Sequence, residues 1–264
     1  MGREIIIQIE NLSLAFGGIQ ALNEVSTKLL KGELFAIIGP NGAGKTCILN
    51  CISRFYTPQR GRITYKGEDI TRLPTHAIAK RGIARTFQNI ELFKGMTVLD
   101  NIKLGRHTFL KSGIFSDMIY FGRTLREELT LRKEIEERIV DLLEIEAIRK
   151  QVVGTLPYGL QKRVELARAL AMRPDVLLLD EPMAGMNLEE TEDMARFILN
   201  VNSMWDVSIV LVEHDMGVVM DISDRVCVLE FGRKIAEGPP EDIQKDPQVI
   251  SAYLAEDQKT YSRL

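Results

Sequence analysis

The chain is short of basic residues, short of cysteine and without any long apolar run, and each shortage excludes something. Its 34 Lys and Arg stand against 37 Asp and Glu, a net charge of −3. That balance carries no electrostatic footprint for nucleic acid, which calls for a basic face or domain. The cysteines, Cys47, Cys51 and Cys227, have no metal-ligand spacing. Cys47 and Cys51 fall on one expected helix and read as small core residues, and a reducing cytosol suits all three. The apolar start Ile5-Ile6-Ile7 meets Glu10 and Asn11 too soon for a signal peptide. Other apolar runs, such as Val176 to Leu179, are the size of a core strand, far below the roughly 20 residues of a membrane span. The expectation is a chain soluble by itself, whose membrane role, if it has one, comes through a partner. Internal repeats and low-complexity segments are also absent. With 264 residues, 45 % of them hydrophobic, the chain can bury a sizeable core, as one large domain or as a core with a subdomain.

What is present is organised around Gly39-Pro40-Asn41-Gly42-Ala43-Gly44-Lys45-Thr46, which follows the apolar run Leu34 to Ile38. That is strand, glycine-rich loop and helix start. Glycines let backbone N–H groups crowd around a polyphosphate, a lysine there reaches the β- and γ-phosphates, and the threonine hydroxyl can ligand Mg²⁺. The helix expected from Thr46 to Phe55 puts Ile48, Leu49 and Ile52 on one face. Cys47, next in line, belongs with the nucleotide-binding residues.

Ahead of this loop, alternation over Ile5 to Phe16 and a Gly17-Gly18 turn predict an antiparallel hairpin. Phe16 at its tip is either an exposed ring that stacks on a purine, a contact worth about 1–3 kcal/mol, or a core phenylalanine. Short strands are expected at Gly61 to Lys66 and at Ala84 to Gln88, with Gln88 at a strand end where its amide can swing towards a metal-bound water. From Val98 to Ile148 the pattern is helical: Arg126 to Ile145 puts Leu131, Ile135, Ile139 and Leu142 on one face, with Glu128–Arg132 and Glu134–Arg138 pairs opposite. This reads as an inserted helical subdomain. A patch of Ile114, Phe115, Met118, Ile119 and Phe121 ahead of it packs inside that subdomain or docks a partner.

A helix is expected from Gln161 to Met172, ended by Pro174, then a fully apolar strand ending in Asp180-Glu181. An aspartate at the end of a parallel strand beside a phosphate loop can bind Mg²⁺ through water, and the adjacent glutamate can orient an attacking water. Ser208 to Val212 forms a further strand that leads to His214, placed beside Glu181 if the strands run parallel. A hairpin turning at Phe231-Gly232 and a C-terminal helical tail close the chain.

The phosphate loop, Thr86-Phe87-Gln88, the Leu156–Gln161 segment, Leu177 to Pro182 and Val212 to Asp215 follow one another as in an ATP-binding-cassette ATPase, which the chain resembles over nearly its whole length. Thr86 to Phe93, Glu181 to Asn187, the helical insertion and the tail Asp246 to Leu254 look most like the ATP-binding subunits of branched-chain amino acid importers. The resemblance implies an α/β fold: a P-loop NTPase, RecA-like core with an antiparallel β subdomain and an inserted helical subdomain. Its division would be 1–88 and 162–237 for the core, 89–161 for the insertion with its signature segment, and 238–264 for the tail. It also implies two cassettes paired head to tail, as a heterodimer or, in isolation, a homodimer, with ATP between one phosphate loop and the other chain's Leu156, Pro157, Tyr158 and Gly159. Carried over, Phe16 stacks on adenine, Lys45 and Thr46 hold phosphates and Mg²⁺, Gln88 touches metal and water, Asp180 supports the metal, Glu181 is the general base and His214 contacts the γ-phosphate. Two polytopic permease subunits, and through them a substrate-binding protein, are the implied partners, at the cytoplasmic face of the inner membrane.

The chain departs from the family pattern in two places, the signature segment and residue 187. Pro157 and Leu160 replace the usual serine and glutamine, which removes one hydroxyl donor but leaves the N–H groups of a helix start, where proline is comfortable. Asn187 replaces the aspartate most cassettes carry, as in the importer subgroup. The rival functions are DNA-maintenance cassettes, which need a long coiled coil and a basic face, translation-associated cassettes, which carry two cassettes per chain, ATPases of lipid or lipopolysaccharide export, and uptake of urea or amides.

Overall fold

The computed structural model describes residues 3–107 and 135–261. Strands β1 (Ile5–Phe16) and β2 (Ile19–Leu30) form the expected hairpin. With β4 (Arg60–Tyr65) and β5 (Glu68–Asp69) they make an antiparallel sheet in the order β2-β1-β4-β5. The second sheet contains β3 (Leu34–Ile38), β6 (Ile83–Arg85), β7 (Val176–Asp180), β8 (Ser208–Val212), β9 (Arg225–Glu230) and β10 (Arg233–Gly238), in the order β10-β9-β3-β8-β7-β6. All its pairings are parallel except β9 with β10. The helices are α1 (Lys45–Ile52), α2 (Thr75–Lys80), α3 (Val98–His107), α4 (Tyr158–Leu170), α5 (Leu188–Trp205), α6 (Met216–Ile222), α7 (Pro240–Ile243) and α8 (Pro247–Tyr261).

The parallel strands are apolar at every step because both faces are covered. Along β7, Leu177 and Leu179 enter a cluster with α3, α4 and α5, while Val176 and Leu178 enter another with α1 and the antiparallel sheet. A strand buried on one face would alternate, so the unbroken Leu run already required two layers. The α/β architecture read from the sequence is the one observed.

Several boundaries moved. β6 ends at Arg85 rather than at Gln88. Thr86 N–H still reaches Leu178 O at 2.9 Å, but the carbonyls of Phe87 and Gln88 turn to the ammonium of Lys162. The helix expected at Gln161 begins at Tyr158 and ends at Leu170. Pro157 therefore stands at its N-cap, with φ −54° and ψ 154°, rather than in its first turn. That helix also runs unbroken across residue 161, where the helical insertion was expected to end. Of the amphipathic stretch 126–145, the described part is a π-helical turn, Ile135–Val140, followed by turns. Ile135 and Ile139 are buried as expected, and Glu144 pairs with Arg196 of α5 at 2.9 Å. The patch 114–121, Leu131, the Glu128–Arg132 pair and Glu134 lie outside the described residues.

Candidate active site

Everything chemical gathers at the C-terminal edge of the parallel sheet, where β3, β7 and β8 end side by side. β3 runs into the glycine loop and α1. Gly39 is glycine by necessity: with φ 145°, a Cβ there would lie 2.1 Å from Leu229 O, so the loop passes flush against β9. Lys45 is 6 % exposed, and its Nζ donates to Gly39 O at 2.6 Å and Pro40 O at 3.2 Å, across the loop that α1 grows from. No side chain caps α1, so its first N–H groups are open to an anion. Cys51 is a buried core residue as expected, whereas Cys47 is only half-buried, with its thiol pKa raised by burial and then by the Asp180 charge.

From β7, Asp180 is 1 % exposed and its carboxylate is held from two sides. Thr46 Oγ1 donates to Oδ1 at 3.2 Å, and Arg85 bridges to Oδ2 at 2.8 Å. The same guanidinium donates to Asn50 and Ser53 on and just after α1, and lies over the rings of Phe55 and Phe87. The oxygens of Thr46 and Asp180 are the hard donors that Mg²⁺ takes, so the residues present fit the expected metal.

Glu181 sits one residue past the strand with φ 50°, a left-handed conformation uncommon for a residue with a side chain. That turn brings its carboxylate between two other predicted site residues. Gln88 Nε2 donates to Oε2 at 2.7 Å, and His214 Nε2 meets Oε1 at 2.5 Å. β7 and β8 do run parallel, which is what places His214 there. Behind this trio stands Glu213, 4 % exposed. Its Oε1 accepts from Met183 N–H at 2.7 Å and its Oε2 from His214 N–H at 3.1 Å, so it fixes the chain on both sides. Burial pushes its pKa up despite those two bonds.

Phe16 is 45 % exposed and meets Tyr56 edge to face at 5.0 Å. That removes the core alternative and leaves a ring available for stacking. Tyr56 was not anticipated; the aromatic pair Phe55-Tyr56 just after the helix that follows the glycine-rich loop was the signal available.

The signature segment forms the N-terminal end of α4. Pro157 supplies no side-chain cap there. A Cβ on Gly159 would meet Glu190 Oε1 at 2.4 Å, so glycine at this position admits the first turn of α5. Glu190 is itself engaged in a capping box: Asn187 Oδ1 accepts from Glu190 N–H at 3.0 Å and Glu190 Oε2 from Asn187 N–H at 3.1 Å. Asn187, the second departure, thus has a plain structural task as the N-cap of α5. Arg85, Lys162 and Glu213 are residues that sequence reasoning missed, because each is a charged residue inside a run read only for its neighbours.

The ABC transporter family model matches residues 22–184, and the model of the branched-chain amino acid ATP-binding cassette transporter matches residues 233–254. The branched-chain amino acid transport ATP-binding protein BraF of Pseudomonas aeruginosa is 40 % identical over 254 residues, covering 95 % of this chain and 98 % of the relative. LivG of Escherichia coli, with the same description, is 41 % identical over the same share of each. Among solved structures, a nucleotide-free ATP-binding cassette from an ABC transporter superposes with a TM-score of 0.81 at 30 % identity, covering 94 % of this chain and 98 % of that one. A dimeric bacterial ABC transporter cassette superposes with a TM-score of 0.75 at 25 % identity, over 89 % and 99 %.

Proposed function

The chain belongs to the ABC transporter ATP-binding family, and from that premise we propose that it is the ATP-hydrolysing subunit of an importer of branched-chain amino acids. Relatives at about this identity over nearly full length, together with the short C-terminal match at residues 233–254, favour that importer over lipid export or urea uptake. Among the described residues no helix is long and apolar enough to cross a membrane. In this reading two permease subunits and a substrate-binding protein supply the path for the solute, and this chain works peripherally at their cytoplasmic side, paired head to tail with a second cassette.

The observation that carries the catalytic reading is the Glu181 carboxylate held between Gln88 and His214 beside the phosphate loop. Phosphoryl transfer asks a protein mostly for position and charge. Phe16 stacks on the base. The loop's N–H groups and Lys45 neutralise the β- and γ-phosphates, with Lys45 exchanging its loop carbonyls for phosphate oxygens. Thr46, Asp180 and Gln88 would hold Mg²⁺, which when bound neutralises charge building on the phosphate oxygens. Glu181 accepts the proton of the attacking water, and His214, whose side chain is 43 % exposed, contacts the γ-phosphate. Leu156 to Gly159 of the paired cassette face that phosphate from the other side.

Two measurements test this. Purified chain should hydrolyse ATP with loss of turnover on Glu181→Gln, and deleting its gene should abolish uptake of radiolabelled leucine. Intact leucine uptake with loss of urea or amide uptake would replace the proposed solute, leaving the ATPase reading in place.

A further inference from the structure

Lys162 is an ammonium buried in the middle of this machinery that the reaction as described does not use. Its side chain is 2 % exposed. It projects from α4 one turn beyond Gly159, and its Nζ donates to Gln88 O at 2.9 Å, with Phe87 O at 3.4 Å and Glu181 O at 3.5 Å also in reach. Glu165 of the same helix lies at 3.9 Å. Burial lowers the lysine's pKa, against the pull of Glu165, Glu213, Asp180 and Glu181. An ammonium offers three donors, and three backbone carbonyls stand around this one. Two of these belong to the segment that leaves β6, the third to the residue that supplies the carboxylate.

We infer that Lys162 is a positioning residue that couples the two nucleotide sites of a cassette pair, by tying the helix that meets the partner's ATP to the backbone of Gln88 and Glu181 in its own site. The inference rests on the head-to-tail pairing proposed above. The N-terminal end of α4 faces a nucleotide bound to the other chain, while Gln88 and Glu181 serve the nucleotide on this chain. Lys162 joins them through one rigid turn of helix. Any rotation of α4 as its N–H groups close on an anion moves the Gln88 and Glu181 carbonyls with it, and the 2.7 Å Gln88–Glu181 contact with them. A side chain that only filled space would leave those carbonyls, part-buried at Phe87 and Gln88 and buried at Glu181, without this donor. A lysine whose sole task was to pair them would leave the response of one site to the other untouched.

The test uses full-length chain, wild type and with Lys162→Met, Lys162→Arg and Glu181→Gln, measuring ATPase rate against ATP concentration, affinity for a fluorescent ATP analogue, and melting temperature. Lys162→Met should lower kcat by about tenfold, within the usual range of coupling between sites. Its affinity for the analogue should stay at the wild-type value and its Hill coefficient should fall to unity. Lys162→Arg, which keeps the charge and the donors, should recover most of the rate and the cooperativity. Wild-type kcat and Hill coefficient in Lys162→Met overturn the inference. So does an Arg variant as impaired as the Met variant with the same drop in melting temperature, because the lysine would then be only a packing element. If Glu181→Gln forms no ATP-dependent dimer, the pairing itself falls and the inference with it; if it dimerises while Lys162→Met stays cooperative, only the inference falls.

Discussion

Among the helices that begin at or beside the cassette motifs, α1, α4 and α5 treat their first N–H groups in different ways. α1 starts from glycine with no side-chain cap, and Lys45, Thr46 and the nearby Asp180 surround its end. α4 starts from Pro157, also uncapped, with no charged side chain of its own in the first turn, the Glu190 carboxylate packed on Gly159 coming from α5. α5 is closed by the Asn187–Glu190 capping box. A capped helix has spent its donors internally, whereas an uncapped one keeps them for a ligand. The two open ends are the two that carry the cassette motifs. In the proposed function α1 brings cations and a metal site to the phosphates and α4 only backbone dipoles, so chemistry needing charge is concentrated on one side.

That contrast can be broken by experiment, most forcefully at the charged end. Glu181→Gln should keep ATP binding while turnover falls by about 10²–10⁴, the contribution of a positioned general base. It should also trap a nucleotide-bound dimer, visible by size-exclusion chromatography. A near wild-type rate would take the base away from Glu181. Lys45→Ala should weaken binding of a fluorescent ATP analogue by about 10–100-fold, the value of a hydrogen bond to a charged group. Unchanged affinity would mean that the loop's N–H groups suffice without the ammonium, and α1 and α4 would then work alike.

At the uncharged end the effect should be smaller. Pro157→Ser restores a hydroxyl at the N-cap of α4 that adds one donor to the N–H groups already facing the charged phosphate, so turnover of the reconstituted pair should rise several-fold. An equal or lower rate shows that backbone N–H groups already do the work and that proline merely sets the helix entry.

The weakest probe reads α1 alone. Cys51 and Cys227 are buried and pushed up to about 12 by burial, while Cys47 is also raised, by burial and then by Asp180, but is only half-buried and so the most accessible of the three. Because the thiolate is the reactive form, a raised pKa makes each slower than a free thiol at pH 8, and the rate climbs as pH rises. Cys47 should therefore be the residue modified first by iodoacetamide, and ATP should slow it. Mass spectrometry of the peptide checks both, and equal labelling with and without ATP would move the nucleotide away from the start of α1.

The contrast also separates what could be read in the chain from what could not. The glycine loop, the apolar strand ending in Asp180-Glu181 and the amphipathic faces are local patterns, each set by spacing of 2.0 or 3.6 along the backbone. The β1–β2 hairpin, β3, β7, β8 and the open end of α1 were accordingly legible, as was the position of His214 once β7 and β8 were taken as parallel. What was misjudged depends on partners distant in sequence. β6 stops at Arg85 because Lys162, from another element, takes the next carbonyls. Phe16, left open between a stacking ring and a core residue, is decided by the fold, which leaves it exposed and edge to face with Tyr56, whereas the Asn187–Glu190 capping box spans three residues and is local. Arg85 was silent in the sequence, since only the fold brings it onto Asp180. Short-range geometry and burial pattern determined the layers and the motifs; which charges meet within hydrogen-bonding distance was decided by tertiary structure, because a Coulombic contact depends on separations in space that chain order does not encode.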